Sequence, residues 1–320
     1  MSPTLRIGSL CTGYGGLDMA VRAVFGGELA WVADNDAGAA RILAHHYPGT
    51  RNLGDLTCVD WAQVAPVDVV CGGYPCQPFS SAGRRKGVED ERHIWPHIAR
   101  ALRVLRPRYA VFENVANHLR LGFDTVLSDL AHLGFDAEWC VVRADNVGAP
   151  HRRRRLVVVA VAQDTDGKPG QQRGQSTPRQ APKRGAWTDA RGRGGAPASY
   201  PSRPGLALGQ VEPDGTQRPA AERNDRQPAG RRWGAFAPAI ARWEAATGRR
   251  APGPTDARGQ LSPLFVEWMM GLPAGHVTDV PGLSRTAQLT ALGNGVVPQQ
   301  ATAALRHLME RTRTGEGAAA

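Results

Sequence analysis

Val67-Asp-Val-Val-Cys-Gly-Gly-Tyr-Pro-Cys-Gln-Pro-Phe-Ser-Ser-Ala-Gly83 is an apolar run that breaks at a glycine pair and continues into a Pro-Cys turn. The run Val67 to Cys71 suits a strand covered on both faces, and Gly72-Gly73 lets the backbone turn sharply as it leaves the sheet. Cys76 then stands at a strand's carboxyl end, the edge along which open α/β sheets bind ligands. A thiol delivered there is a candidate nucleophile. A lone cysteine is equally at home as a small buried hydrophobe, so its neighbours must decide between the two.

Upstream, Leu5 to Leu10 reads as a short strand, Cys11-Thr-Gly-Tyr-Gly-Gly16 as a glycine turn and Leu17 to Phe25 as a helix. Strand, glycine turn and helix open a nucleotide-type binding unit. The spacing is Gly-x-Gly-Gly and not the dinucleotide fingerprint, so an ordinary tight turn stays open. A second strand, Leu29 to Ala33, ends at Asp34, about twenty residues past the glycines, where such folds place an acid for a ribose diol. Asp34 also suits a cap for the helix Ala37 to His46. Together the two features suggest an adenosine-bearing ligand. Gly54-Asp-Leu56 fits either a plain turn or a carboxylate and an apolar side chain laid against adenine.

Downstream, Arg84 to Arg92 is charged and aperiodic and reads as a mobile surface loop. Ile94 to Leu105 has helical spacing, and Pro107 ends it. The strand Tyr109 to Phe112 delivers Glu113-Asn-Val115 to the same sheet edge as Cys76. After a helix at Phe123 to Leu133 come two strands, Phe135 to Val142 and Leu156 to Val161. Their link is too short for a crossover helix, which predicts an antiparallel pair. The connector Gly148-Ala-Pro-His-Arg-Arg-Arg-Arg155 is either a solvated turn or a set of arginines facing an anionic or polar ligand.

The composition fits this outline. The chain has 320 residues, 42% hydrophobic, enough for one full core and a second small one. A formal charge of +10 favours a polyanionic partner such as nucleic acid, although only three of the 39 basic residues are lysine and a GC-rich genome alone gives such an arginine bias. The five cysteines (Cys11, Cys58, Cys71, Cys76, Cys140) show no Cys-x-x-Cys spacing, so neither a disulfide framework nor a metal site is expected, and a reducing cytoplasm fits. No apolar run reaches the roughly 18 residues of a membrane span, and no membrane partner is expected.

From Ala162 to about Gly230 the chain is rich in Gly, Pro, Gln and Arg with few large apolar residues. Such a stretch cannot bury enough surface to fold alone, which predicts disorder and protease sensitivity. Trp233 to Thr247 is amphipathic and reads as a core-packing helix after Pro238. Leu261 to Met270 reads as a further helix, and Pro298 starts a terminal helix through Met309 that returns beside the first strand.

Taken in order, Cys11 to Gly16, Asp34, Gly54-Asp55, Pro75-Cys-Gln77, Glu113-Asn-Val115, Arg153 with Arg155, Phe265 to Pro273 and Gly293-Asn-Gly-Val296 resemble the motifs of the DNA (cytosine-5)-methyltransferases. The resemblance spans most of the chain. It implies an S-adenosylmethionine-dependent, Rossmann-like α/β sheet with a terminal antiparallel hairpin, plus a small target-recognition domain. The implied division is a catalytic domain at 1–162 and 285–320, the insertion at 163–230 and a target-recognition region at 231–284. Catalysis would rest on Cys76, Glu113, Arg153 and Arg155. The cofactor S-adenosyl-L-methionine would be held by Cys11, Thr12, Gly13, Tyr14, Gly16, Asp34, Asp55, Leu56, Pro75 and Asn294. Double-stranded DNA would be the substrate and a monomer the working form; a cognate restriction endonuclease is a partner such enzymes allow.

In that chemistry Cys76 adds to carbon 6 of a flipped cytosine, turning carbon 5 into a nucleophile for the methyl group. Glu113 would hold ring nitrogen 3 and the exocyclic amine, Arg155 the carbonyl oxygen, and Arg153 would orient Glu113 or bind phosphate, with 84–92 closing over the base. The sequence departs from the family at five places: Cys11 for a usual Phe, Asp34 for Glu, Asn35 for a bulky residue, His151 for Gln, and Gly295 for Ser or Ala. Tyr14 would supply some of the adenine-packing surface lost at Cys11. Two alternatives remain: a tRNA cytosine-5 methyltransferase, and a catalytically silent nucleic-acid-binding module.

Overall fold

The structure is a computed structural model, and it describes residues 4–75, 94–163 and 233–317. Cys76, the 84–92 loop and nearly all of the 163–230 insertion lie outside the described residues. Residues 233–238 fall to a separate compact unit with 188–232, and everything below concerns the larger unit.

That unit is built on a seven-stranded sheet of β1 (Arg6–Leu10), β2 (Glu28–Ala33), β3 (Arg51–Asn52), β4 (Val69–Gly72), β5 (Tyr109–Val115), β6 (Phe135–Arg143) and β7 (Arg154–Ala162). The order is β3-β2-β1-β4-β5-β7-β6, with β1 to β5 parallel and β7 antiparallel to both its neighbours. The expected hairpin is therefore present, with β7 inserted between β5 and β6. In the register, Leu10 lies opposite Gly72, and Gly72 opposite Phe112. The next residue of each strand, Cys11, Gly73 and Glu113, consequently stands along one edge. β7 runs the other way, so Arg155, opposite Val115, meets that edge from the hairpin side.

Helices α1 (Gly16–Phe25), α2 (Ala37–His46), α3 (Trp95–Leu105) and α4 (Phe123–His132) are the connectors. Asp36 caps α2, its Oδ1 accepting from the Ala39 N–H at 2.8 Å. Asp34 is thereby released from the capping role that the sequence left open. One face of the sheet buries Leu10, Val70, Phe112 and Leu156 under Trp95, Ile98, Leu102 and Leu130 of α3 and α4. The other buries Ile7, Cys71, Val111 and Val157 under α1 and the terminal helix.

Four further helices complete the unit: α5 (Ala237–Thr247), α6 (Pro263–Met269), α7 (Arg285–Asn294) and α8 (Pro298–Gly317). α5 buries Ile240 and Trp243, and the Trp243 indole donates to the Trp268 carbonyl at 2.8 Å. α8 lays Ala301, Ala304, Leu305 and Leu308 on α1, β6 and β7, apolar positions spaced three and four apart as a helix face requires. This corrects the expectation that the terminal helix lies beside the first strand. Truncating Leu305, which is fully buried, to Ala should cost about 2–5 kcal/mol. Gln300 ties α8 to the hairpin, donating to the carbonyls of Val142 at 2.9 Å and Arg153 at 2.7 Å. Among the described residues no helix is long and apolar enough to cross a membrane.

Candidate active site

The glycine loop comes first along the sheet edge. Cys11 and Gly13 both have left-handed backbones (φ 48° and 58°), which turns the chain back over β1 and points the Gly13 N–H at Asp34 Oδ2, 2.7 Å away. Asp34 Oδ1 accepts from the Asp36 N–H at 2.9 Å, and Asn52 brackets the Asp34 main chain through both of its amide atoms. This half-buried carboxylate is thus fixed beside the loop, and burial raises its pKa. Burial, with Asp34 and Asp55 nearby, pushes the Cys11 thiol up to about 12, so at neutral pH it is a neutral packing group. Thr12 is buried, its hydroxyl donating to the Ser9 carbonyl and its own carbonyl accepting from Gly15.

Two of the expected cofactor contacts need correction. Tyr14 is wholly enclosed, its hydroxyl donating to the Val296 carbonyl at 2.7 Å, so its ring supplies no adenine-packing surface. Leu56 is also enclosed and belongs to the core with Trp61. Asp55 beside it stays exposed; its Oδ1 takes the main-chain and hydroxyl donors of Thr57, which lower its pKa. Pro75 is exposed at the end of the described loop, and Asn294 is exposed at the end of α7. Gly16 permits a close approach, since a Cβ there would sit 2.3 Å from the Val296 carbonyl oxygen.

At the other end of the edge, Glu113 is 7% exposed inside β5. Arg155 Nε lies 2.7 Å from Glu113 Oε1. Burial raises the Glu113 pKa, and Arg155 and then Arg153 pull it back. The guanidinium of Arg153 is directed elsewhere: Nη1 and Nη2 donate to the Gly293 carbonyl at 3.1 and 3.2 Å, and Nη2 also donates to Gly295. This reverses the expected division of labour, because Arg155 orients Glu113 while Arg153 holds the 293–295 turn. His151 donates to the Met269 carbonyl at 3.1 Å and so ties the start of the arginine run to α6; burial lowers its pKa.

The residues that aim the Pro75-Cys76 loop were not all foreseen. Asn114 Nδ2 donates to the Tyr74 carbonyl at 3.3 Å, fixing the chain as it leaves β4. The Tyr74 hydroxyl is 2.8 Å from His118 Nε2, and His118 Nδ1 is 2.8 Å from the Leu121 carbonyl. A carbonyl can only accept, so Nδ1 carries the proton and Nε2 accepts from the phenol. The spacing of 44 residues between the two gives no sequence signal. Glu267, inside the quoted 265–273 motif, also proves to be a buried organiser, taking the N–H groups of Gly275, Val277 and Thr278 and the Thr278 hydroxyl at 2.6–3.0 Å.

A family model described as C-5 cytosine-specific DNA methylase matches residues 5–192. Among curated relatives, Type II methyltransferase M.HgiBI of Herpetosiphon aurantiacus is 30% identical over 169 residues, covering 50% of this chain and 38% of the relative. M.BsuFI of Bacillus subtilis is 33% identical over 165 residues (48% and 39%), and M.HhaI of Haemophilus parahaemolyticus 29% over 165 residues (50% and 50%). The chain thus spans half or less of the length of these relatives. A crystal structure of Spodoptera frugiperda DNMT2 has TM-score 0.56 at 17% identity, covering 96% of this chain and 100% of the other. Entamoeba histolytica methyltransferase EhMeth has TM-score 0.57 at 12% identity, covering 97% and 99%. These two likenesses are of fold.

Proposed function

The chain belongs to the C-5 cytosine-specific DNA methylase family, and from that premise we propose that it methylates carbon 5 of cytosine in duplex DNA, with S-adenosylmethionine as methyl donor. The observation that carries the reading is the buried Glu113–Arg155 pair, placed at the sheet edge one strand away from the loop that leads into Cys76. A carboxyl held by a guanidinium and raised by burial suits a group that must hold or give a proton at neutral pH.

The residues of the other half of the edge suit the cofactor. The Gly13 turn leaves the main chain open to a close approach, and Asp34 is fixed beside it as an acceptor for a ribose diol. Thr12, Gly16 and Asp55 shape the same loop cluster, with Pro75 and Asn294 at its margins. Bound S-adenosylmethionine supplies an electrophilic methyl group. Cys76 adds to carbon 6 of the extruded base and so makes carbon 5 nucleophilic. Glu113 holds ring nitrogen 3 and the exocyclic amine, and Arg155 keeps the carboxyl in register. Arg153 fixes the 293–295 turn behind it.

Duplex DNA is favoured over tRNA because the Cys-Phe-Thr signature of the tRNA enzymes is missing from the sequence, and because the long insertion after the arginine motif is where the DNA enzymes carry their reader. Residues 231–284 are the proposed reader. Exposed Arg242, Arg250, Arg258 and Arg285 suit phosphate and guanine contacts there. The test is transfer of labelled methyl to duplex DNA and to total tRNA by wild type and Cys76→Ser, with bisulfite sequencing of DNA from expressing cells. One short motif methylated at cytosine, and no transfer by the serine variant, is expected. Faster labelling of tRNA would give the tRNA reading precedence, and binding without transfer would leave a silent module.

A further inference from the structure

Tyr14 is the residue of the glycine loop that the proposed mechanism does not use, although it is the loop's largest side chain and is fully buried. Its contacts all lead away from the loop. The hydroxyl donates to the Val296 carbonyl at 2.7 Å across a sequence separation of 282 residues. Its main-chain carbonyl accepts from His276 Nε2 at 2.8 Å, and its ring meets the His276 ring edge-on at 6.2 Å. His276 is in turn stacked on His46 with ring centroids 4.0 Å apart, and His46 Nε2 donates to the His276 carbonyl at 2.7 Å.

Gly295 completes the arrangement. A Cβ at this position would lie 1.8 Å from Tyr14 Cε1 and 2.2 Å from Cζ, closer than atoms can approach. Its backbone sits at φ −75°, ψ 179°, a conformation open to any residue. The Tyr14 ring is therefore what excludes a side chain at 295, and two departures of this sequence explain one another: a large aromatic in the loop and a glycine in the turn. The turn is gripped from its other side by Arg153, through the carbonyls of Gly293 and Gly295. Gly73 also faces both Glu113 Oε2 and Val296 Cγ2, at 3.5 and 3.7 Å from an ideal Cβ. The 293–296 turn thus stands between the cofactor loop and the strand that carries the catalytic pair.

We infer that Tyr14 is a positioning residue that locks the glycine loop to the 293–296 turn and, through Arg153, fixes the loop's distance from Glu113, so that S-adenosylmethionine affinity depends on an enclosed phenol. The inference rests on the reading of this edge as an S-adenosylmethionine site. Tyr14→Phe keeps the ring and removes the hydrogen bond, leaving the buried Val296 carbonyl without its donor. Gly295→Ala puts a methyl into the ring, and Tyr14→Leu combined with Gly295→Ala removes the collision.

The experiment measures equilibrium binding of S-adenosylmethionine, steady-state transfer to duplex DNA and thermal unfolding for the full chain and these three variants. Tyr14→Phe should raise both Kd and KM for S-adenosylmethionine about tenfold, the usual effect of orphaning one buried acceptor, with kcat within about threefold of wild type. These values are read at a temperature where the variant is folded, which separates positioning from stability. Gly295→Ala should bind at least as weakly, and the double variant should recover about tenfold or more of the loss, a coupling that independent sites do not give. If Gly295→Ala does not fold, a folded double variant supports the lock and an unfolded one counts against it. Tyr14→Phe with wild-type Kd and KM, or a double variant no better than Gly295→Ala, overturns the inference. Wild type that binds no S-adenosylmethionine overturns the functional reading, and the inference with it.

Discussion

Two buried carboxylates, one at each part of the sheet, divide the molecule's work. Asp18, in the first turn of α1, is 1% exposed and faces Ser9 and the Cys71 thiol, whose Sγ is 3.7 Å from Oδ1. Its Oδ2 has no hydrogen-bond partner among the described residues. Glu113, at the β5 edge, is almost as buried but has a guanidinium 2.7 Å away. Burial raises the pKa of both. Only Glu113 opens onto an edge where a base can reach it. A raised carboxylate is a functional signal when a charged partner holds it at a ligand-accessible edge, and a structural cost when it is walled in beneath a helix.

The largest effect should come from exchanging the two acids for their amides. Glu113→Gln keeps the shape and removes the proton, and methyl transfer should fall by about 10²-fold or more while S-adenosylmethionine binding is retained. Near-normal transfer by this variant would break the comparison. Asp18→Asn should do the opposite. The folded-state pKa of Asp18 is pushed up to about 6, above its ordinary 3.8. The folded protein therefore binds this proton more tightly than the unfolded chain. The stability that the neutral carboxyl contributes is whole below about pH 4 and is lost as pH rises through about 6. Asparagine imitates the neutral form, so the variant should gain up to roughly 3 kcal/mol over wild type at pH 7.5, shrinking toward zero near pH 4, with transfer intact. Urea unfolding across that range is the measurement, and a gain that does not change with pH would assign it to packing and not to charge.

A third measurement sharpens the catalytic side. Because Arg155 is the larger of the two influences lowering the Glu113 pKa, Arg155→Gln should let that pKa rise further. If Glu113 must be protonated, kcat is present below its pKa and lost above it, so the high-pH limb should move up by about one unit, the scale of a nearby charge. Arg153→Gln should move it less and should raise KM for S-adenosylmethionine instead, since its bonds go to Gly293 and Gly295. Equal shifts from the two variants would return the arginines to the roles first expected.

Most of the architecture was legible in the sequence because local patterns carry it. The β1 to β5 strands, the helices between them and the antiparallel β6–β7 pair each announce themselves by apolar runs, glycine turns and loop lengths. The departures lie where distant pairing decides. β5 continues through Glu113 to Val115, and β7 begins at Arg154, because the two strands pair over that stretch (Val115 opposite Arg155), which a charged sequence does not advertise. α7 was not foreseen at all. It buries only Leu292 and has no apolar stripe, being set by the Ser284 cap, whose Oγ accepts from the Ala287 N–H at 3.2 Å, and by its packing on α2 and α6. The reacting residues were legible as motifs, but their partners were not. Arg153 and Arg155 are two apart on one strand and look alike in the sequence, and only the fold brings one to Glu113 and the other to the 293–295 turn.

The smallest expected effect tests whether the cofactor side of the comparison can be tuned without touching the chemistry. Cys11 stands where the family usually has Phe, and it is half-buried against the core with a left-handed backbone that a non-glycine residue already occupies. Cys11→Phe therefore pays no new backbone strain of the kind that removing a glycine would bring. It replaces a small neutral thiol with a ring able to lie against adenine, and Tyr14, enclosed behind Val296, cannot already fill that place. An aromatic pair of this kind is worth about 0.5–1.5 kcal/mol beyond its buried area, so Kd for S-adenosylmethionine should fall roughly 2- to 12-fold. kcat should stay within experimental error, because Glu113 and Arg155 lie at the far end of the edge. Isothermal titration on the folded variant reads the first number and single-turnover transfer the second. Unchanged or weaker binding would mean that adenine does not rest on residue 11 in this chain, and that the site was rebuilt around the smaller side chain.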